Sequence, residues 1–115
     1  VREITLPGPM LGALKKPKFG VAEITLQPGE AVIFYSDGVI EARNAAGEIL
    51  GLARLKQMAA HCFAADPEKF FAGLLEAHRE FVGGTRAQDD MTLLIAVFAD
   101  QQRQESSDSA QAEVC

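Results

Sequence analysis

The stretch Ala31–Ala42, "AVIFYSDGVIEA", decides how the chain is read, because an apolar run of five residues meets an acid and a glycine where a strand should end. Two readings stand side by side. Asp37-Gly38 between apolar residues is a strong short hairpin signal, since glycine takes positive φ without steric cost. Alternatively, the Asp37 carboxylate has chemical work to do. Upstream, "QPGE" (27–30) is a Pro-Gly turn, and it joins "GVAEITL" (20–26) to "AVIFYS" (31–36). The pattern predicts a hairpin of these two segments, the second being a strand buried on both faces. "VREITL" (1–6) alternates and reads as an edge strand, and "PGPMLGALKKPKFG" (7–20), with three prolines and three glycines, reads as a long connection.

Beyond Ala42, Gly47 and Gly51 break "AAGEILG", and two helical patterns follow. In the first, Leu52, Leu55, Met58, Ala59 and Cys62 share a face. The second has Asp66 at N-cap, Pro67 at the first helical position and Gly83-Gly84 as terminator, with Phe70, Phe71, Leu74, Leu75, His78, Phe81 and Val82 on one broad face. That aromatic stripe is core, and His78 within it is a packing histidine with a satisfied ring rather than a ligand. His61 has no acid or cysteine at ligand spacing nearby. "GGTRAQDD" (83–90) is a polar loop, and "MTLLIAVF" (91–98) is another buried strand.

Composition narrows the function classes. With 115 residues, 48% of them hydrophobic and 23% charged, the chain has material for one domain with a core. Its net charge of −5 is concentrated in "DQQRQESSDSAQAEVC" (100–115), whose four acids against Arg103 give −3 and which is predicted to be a disordered polar tail. The remainder is nearly neutral. Its basic cluster, Lys15, Lys16 and Lys18, has no interleaved aromatics and reads as a solvated loop, so a nucleic-acid partner is not expected. No apolar run approaches the roughly 20 residues of a membrane span. Cys62 and Cys115 make a poor disulfide pair, which points to a reducing, cytoplasmic setting.

Two loops share one design. A carboxylate abuts an apolar strand at Asp37, after "AVIFYS", and at Asp89-Asp90, before "MTLLIAVF". If those strands are antiparallel neighbours, the acids meet at one sheet edge. Crowded carboxylates raise one another's pKa unless a cation neutralises them, and hard divalent ions such as Mg²⁺ or Mn²⁺ prefer oxygen ligands. Two such ions roughly 3.5–4 Å apart activate a water for in-line attack on a phosphate ester. The spacing alone also admits a loop in which Thr92 and an acid satisfy backbone donors.

The ordered series "LQPGEAVIFYSDGVIEARNAAGEILGLARL" and "GGTRAQDDMTLLIAVF" resembles the C-terminal part of the metal-dependent protein phosphatases (PPM, protein phosphatase 2C-like), in the bacterial branch named after stage II sporulation protein E. The resemblance implies an α+β fold, a portion of an antiparallel β-sandwich flanked by helices (αββα), over residues 1–99. It implies that Asp37 and Asp89 are metal ligands for Mn²⁺ or Mg²⁺, two ions in the complete domain. Gly38 matches the glycine that lets the backbone turn close to the metals, Glu41 and Asp90 match polar positions behind the ligands, and Thr92 would orient that shell.

The family's acid with a Gly-His-Gly-like segment, and its later Gly-Gly-His segment, do not occur in this sequence. The chain is therefore expected to be a phosphatase domain incomplete at its N-terminus and inactive alone. A phosphoprotein substrate, of the anti-anti-sigma type, and an upstream sensor domain are the implied partners. The rival expectation is a non-catalytic regulatory or protein-binding module with a degenerate phosphatase fold.

Overall fold

A computed structural model describes residues 1–86 and 89–99. Its order is β1 (Ala31–Tyr35), α1 (Asp37–Ile40), α2 (Gly51–Cys62), α3 (Pro67–Val82) and β2 (Leu93–Val97), an α+β arrangement consistent with part of a phosphatase sandwich. The expected disordered tail, 100–115, lies outside the described residues.

The two apolar runs pair with each other. β1 and β2 are antiparallel, with Ala31 opposite Val97, Ile33 opposite Ile95 and Tyr35 opposite Leu93. The predicted hairpin of 20–26 with 31–36 is thus corrected: the Pro28-Gly29 turn forms, with Glu30 N–H donating to Gln27 O at 3.0 Å and Gly29 at φ 86°, but it delivers the chain to β2 instead. Gly29 N–H donates to Phe98 O and Phe98 N–H to Glu30 O, both at 2.8 Å, which lengthens the ladder by one turn-side rung. A strand is defined by its partner, and propensity along one segment does not name that partner.

Residues 1–6 and 20–26 are likewise not strands. They flank a single Gly20 N–H to Pro7 O hydrogen bond of 3.1 Å that closes the expected long connection. Lys56 on α2 anchors the first segment by an ion pair to Glu3 at 3.1 Å. The Glu3 carboxyl is held below its ordinary range by hydrogen bonds from Thr5 and Lys56.

Among the described residues the sheet is covered on one face only. Ile33, Leu93 and Ile95 pack against the core of Val39, Leu50, Leu55 and Leu74, whereas Phe34 and Leu94, paired on the opposite face, are each 58% exposed. The expectation of strands buried on both faces is therefore corrected, and the alternation is that of an antiparallel sheet with one packed side.

Both helices follow their sequence signals. On α2, Leu55 and Ala59 are buried and Leu52, Met58 and Cys62 partly so. On α3 the Asp66 carboxylate accepts from Glu68 N–H (2.9 Å) and Lys69 N–H (3.4 Å), Pro67 opens the helix, and Gly83 at φ 61° ends it with its N–H on Arg79 O. Phe70, Leu74 and His78 are buried, while Phe71, assigned to the same stripe, is 39% exposed at its margin. Arg54 of α2 lies over the Phe81 ring, 5.1 Å from its centroid, and ties the two helices at their solvent edge. Since Asp66 satisfies two otherwise orphaned N–H groups, Asp66→Ala is expected to cost about 1 kcal/mol, read as a lowered urea midpoint at unchanged slope.

Candidate metal centre

The β1–β2 register carries the two acidic loops to one sheet edge. One residue past the Tyr35–Leu93 pair, Ser36 N–H donates to Thr92 O at 3.0 Å and Thr92 N–H donates to Ser36 Oγ at 2.9 Å. This reciprocal link stands where the ladder stops. It also explains why Ser36, the N-cap of α1, makes no side-chain cap: its hydroxyl oxygen serves the neighbouring loop. Asp37 follows directly as the first residue of a single helical turn, closed by Val39 N–H on Ser36 O and Glu41 N–H on Asp37 O. The hairpin reading of Asp37-Gly38 is thus corrected to a one-turn helix.

Gly38 does not take positive φ. Its need for hydrogen in place of a side chain is steric: a Cβ there would overlap the carbonyl oxygen of Asp90 and sit 3.0 Å from its carbonyl carbon. The two loops therefore touch backbone to backbone. From beneath, Val39 is 2% exposed in the core, and its carbonyl accepts from Nε2 of buried His78 at 3.1 Å. A carbonyl can only accept, so Nε2 carries the proton. His78 is the satisfied packing histidine the sequence indicates, and it also clamps the Asp37 turn onto α3.

The candidate acids themselves are open to solvent. Asp37, Glu41, Asp89 and Asp90 are all exposed, and Asp89 Oδ1 accepts from Asp90 N–H at 2.8 Å. Thr92, expected to orient the shell, enters through its main chain. Carboxylate oxygens suit a hard divalent cation in kind. In number they do not enclose one: among the described residues no group of three or more His, Cys, Asp or Glu side chains is placed to hold a metal ion.

Beside the acids lies a cleft of about 600 Å³, lined by Glu41, Asp89, Arg43, Arg79 and Arg86 among others, but not by Asp37. A larger groove of about 1250 Å³ runs between residues 1–6, β1 and α2, and none of the candidate acids lines it.

Residues that hold the site but escaped the sequence reading are Ser36, Arg43 and Thr85. Thr85 Oγ1 donates to Arg43 O at 2.8 Å, which pins the segment after α1 to the loop after α3 across 42 positions. Only the position of Ser36, immediately before Asp37-Gly38, offered a local signal.

Comparison with known proteins bears on the family of the chain. A family model described as Stage II sporulation protein E (SpoIIE) matches residues 1–99. Protein IcfG of Synechocystis sp. is 33% identical over 95 residues, which cover 79% of this chain and 14% of that protein. The chain thus spans about one seventh of the length of that curated relative. No solved structure matches.

Proposed function

Because this chain belongs to the stage II sporulation protein E family, of the protein phosphatase 2C-like class, we propose that residues 1–99 are the C-terminal portion of a metal-dependent serine/threonine protein phosphatase domain in bacterial signalling. Its substrate is a phosphoprotein, of the anti-anti-sigma type in the sigma-factor reading. The observation that carries the proposal is the reciprocal Ser36–Thr92 link, which sets the loops of Asp37 and Asp89 side by side at one sheet edge.

In this reading Asp37 and Asp89 are the two metal ligands that this chain contributes, Glu41 and Asp90 support them, and Mn²⁺ or Mg²⁺ is the cofactor. Such ions, when bound, supply Lewis-acid activation for phosphate-ester hydrolysis. The chain's own part is to hold two carboxylates on loops that cannot drift: Ser36 and Thr92 fix their base, and His78 and Val39 fix the turn from below. The remaining donors come from outside the described residues.

The 115-residue chain alone is accordingly expected to bind Mn²⁺ weakly and to show negligible phosphopeptide hydrolysis, and robust Mn²⁺-dependent turnover by it would contradict the incomplete-domain reading. In the complete phosphatase, Asp37→Asn and Asp89→Asn are each expected to lower turnover at least a hundredfold and Mn²⁺ affinity at least tenfold, read by phosphate release and calorimetry. Unchanged Mn²⁺ affinity in both variants would overturn the ligand assignment. The lack of a third donor among the described residues favours a second reading, a non-catalytic binding module. An intact Gly-His-Gly-like acidic segment encoded upstream of Val1 would exclude that reading.

A further inference from the structure

The cleft beside Asp89 has a composition that the two metal-ligating acids do not explain. Three arginines, Arg43, Arg79 and Arg86, line it together with Glu41 and Asp89. If these charges served only to neutralise one another, ion pairs should cross the cleft. Among the described residues none does: the ion pairs are Arg54–Glu48, Lys56–Glu3 and a 4.0 Å approach of Arg79 to Glu76 on its own helix.

Arg43 is the most firmly built of the three. Its backbone is held by an antiparallel bridge to Ile49 and by Thr85 Oγ1 on its carbonyl. Its Nη1 donates to Gly47 O at 2.7 Å, and Gly47 lines the same cleft. One N–H is thereby spent on fixing the guanidinium, and the rest of its planar donor fork stays available. A fork of this kind matches phosphate oxygens in paired hydrogen bonds, and an arginine already oriented loses less entropy in making them.

We propose that Arg43, assisted by Arg79 and Arg86, forms an oxyanion-binding cleft that receives the phosphoryl group of the phosphoprotein substrate beside the Asp89 loop. The assignment of that group to a substrate rests on the phosphatase reading above; the binding of a phosphate oxyanion does not. Asp89 and Glu41 in the same cleft oppose an anion while no cation is bound, so removing one of those charges strengthens phosphate binding.

The test is a titration of the 115-residue chain with inorganic phosphate in the presence of a chelator, followed through the arginine side-chain N–H resonances. Saturable shifts centred on Arg43 are expected. Arg43→Gln should weaken phosphate binding about tenfold, on the scale of hydrogen bonds to charged groups. Arg43→Lys should recover only part of that loss, and Asp89→Asn should tighten binding. Absence of saturable shifts, or equal affinity in a folded Arg43→Gln variant, overturns the proposal.

Should Arg43→Gln disturb the 43–49 turn, Arg79→Gln and Arg86→Gln carry the test, and unchanged affinity in both overturns it equally. Because the chelator removes metal, failure here leaves the Asp37 and Asp89 assignments standing, and loss of those assignments by the Mn²⁺ titration leaves the arginine cleft standing.

Discussion

Gly38→Ala is expected to prise apart the two acidic loops, at a cost of about 3 kcal/mol or more. The added methyl group meets backbone, the Asp90 carbonyl, rather than the yielding end of a long side chain. Neither loop has an easy way out. The Ser36–Thr92 pair holds them together on one side, and the His78 bond to Val39 O holds the turn down on the other. Alanine is a better helix former than glycine by about 1 kcal/mol, so local propensity in the one-turn helix favours the substitution, and steric overlap outweighs it. Two measurements check this result: a lower urea midpoint for the chain, and in the complete phosphatase a loss of Mn²⁺ affinity comparable with that of Asp37→Asn. An unfolding free energy within about 0.5 kcal/mol of the parent, the range of an innocuous surface change, would show that the loops do not meet.

Leu74→Ala is expected to be nearly as damaging by a different route, losing about 2–5 kcal/mol as a buried leucine replaced by a cavity. Leu74 is 1% exposed and packs with Val39, Leu50 and Leu55 in a cluster that joins α3 to the Asp37 turn. For a domain whose whole stability is on the order of 5–15 kcal/mol, such a loss populates the unfolded state appreciably. Faster hydrogen exchange is expected at the Val39 and Glu41 amides, which close the turn on Ser36 O and Asp37 O. Phe71→Ala, on the same helix at 39% exposure, should cost much less. Equal costs at the two positions would mean that α3 does not bury the face seen here.

The α3 boundaries were legible in the sequence because each rests on a residue within the helix's own first or last turn: Asp66 and Pro67 at one end, Gly83 at the other. The Pro28-Gly29 turn was legible for the same reason. "VREITL" and "GVAEITL" misled, since alternation records a capacity to pair and no ladder takes them up among the described residues. At the site, the acids and Gly38 could be picked out by motif, but the reason for Gly38 could not. Turn chemistry called for a positive φ, whereas the structure uses the missing Cβ to let Asp90 approach.

Local order was thus set by the sequence itself: the caps of α3, the apolar faces of α2 and α3, a Pro-Gly turn, and the Asp-Gly and Asp-Asp segments at the ends of apolar runs. Tertiary structure alone decided that β1 would pair with β2, the antiparallel neighbours that bring the two acidic loops to one sheet edge, and it added Ser36 to Thr92, Val39 to His78 and Arg43 to Thr85. These contacts join residues 39 to 56 positions apart. Their formation depends on how α2 and α3 fill the space beneath one face of the sheet, and no window of neighbouring residues carries that information.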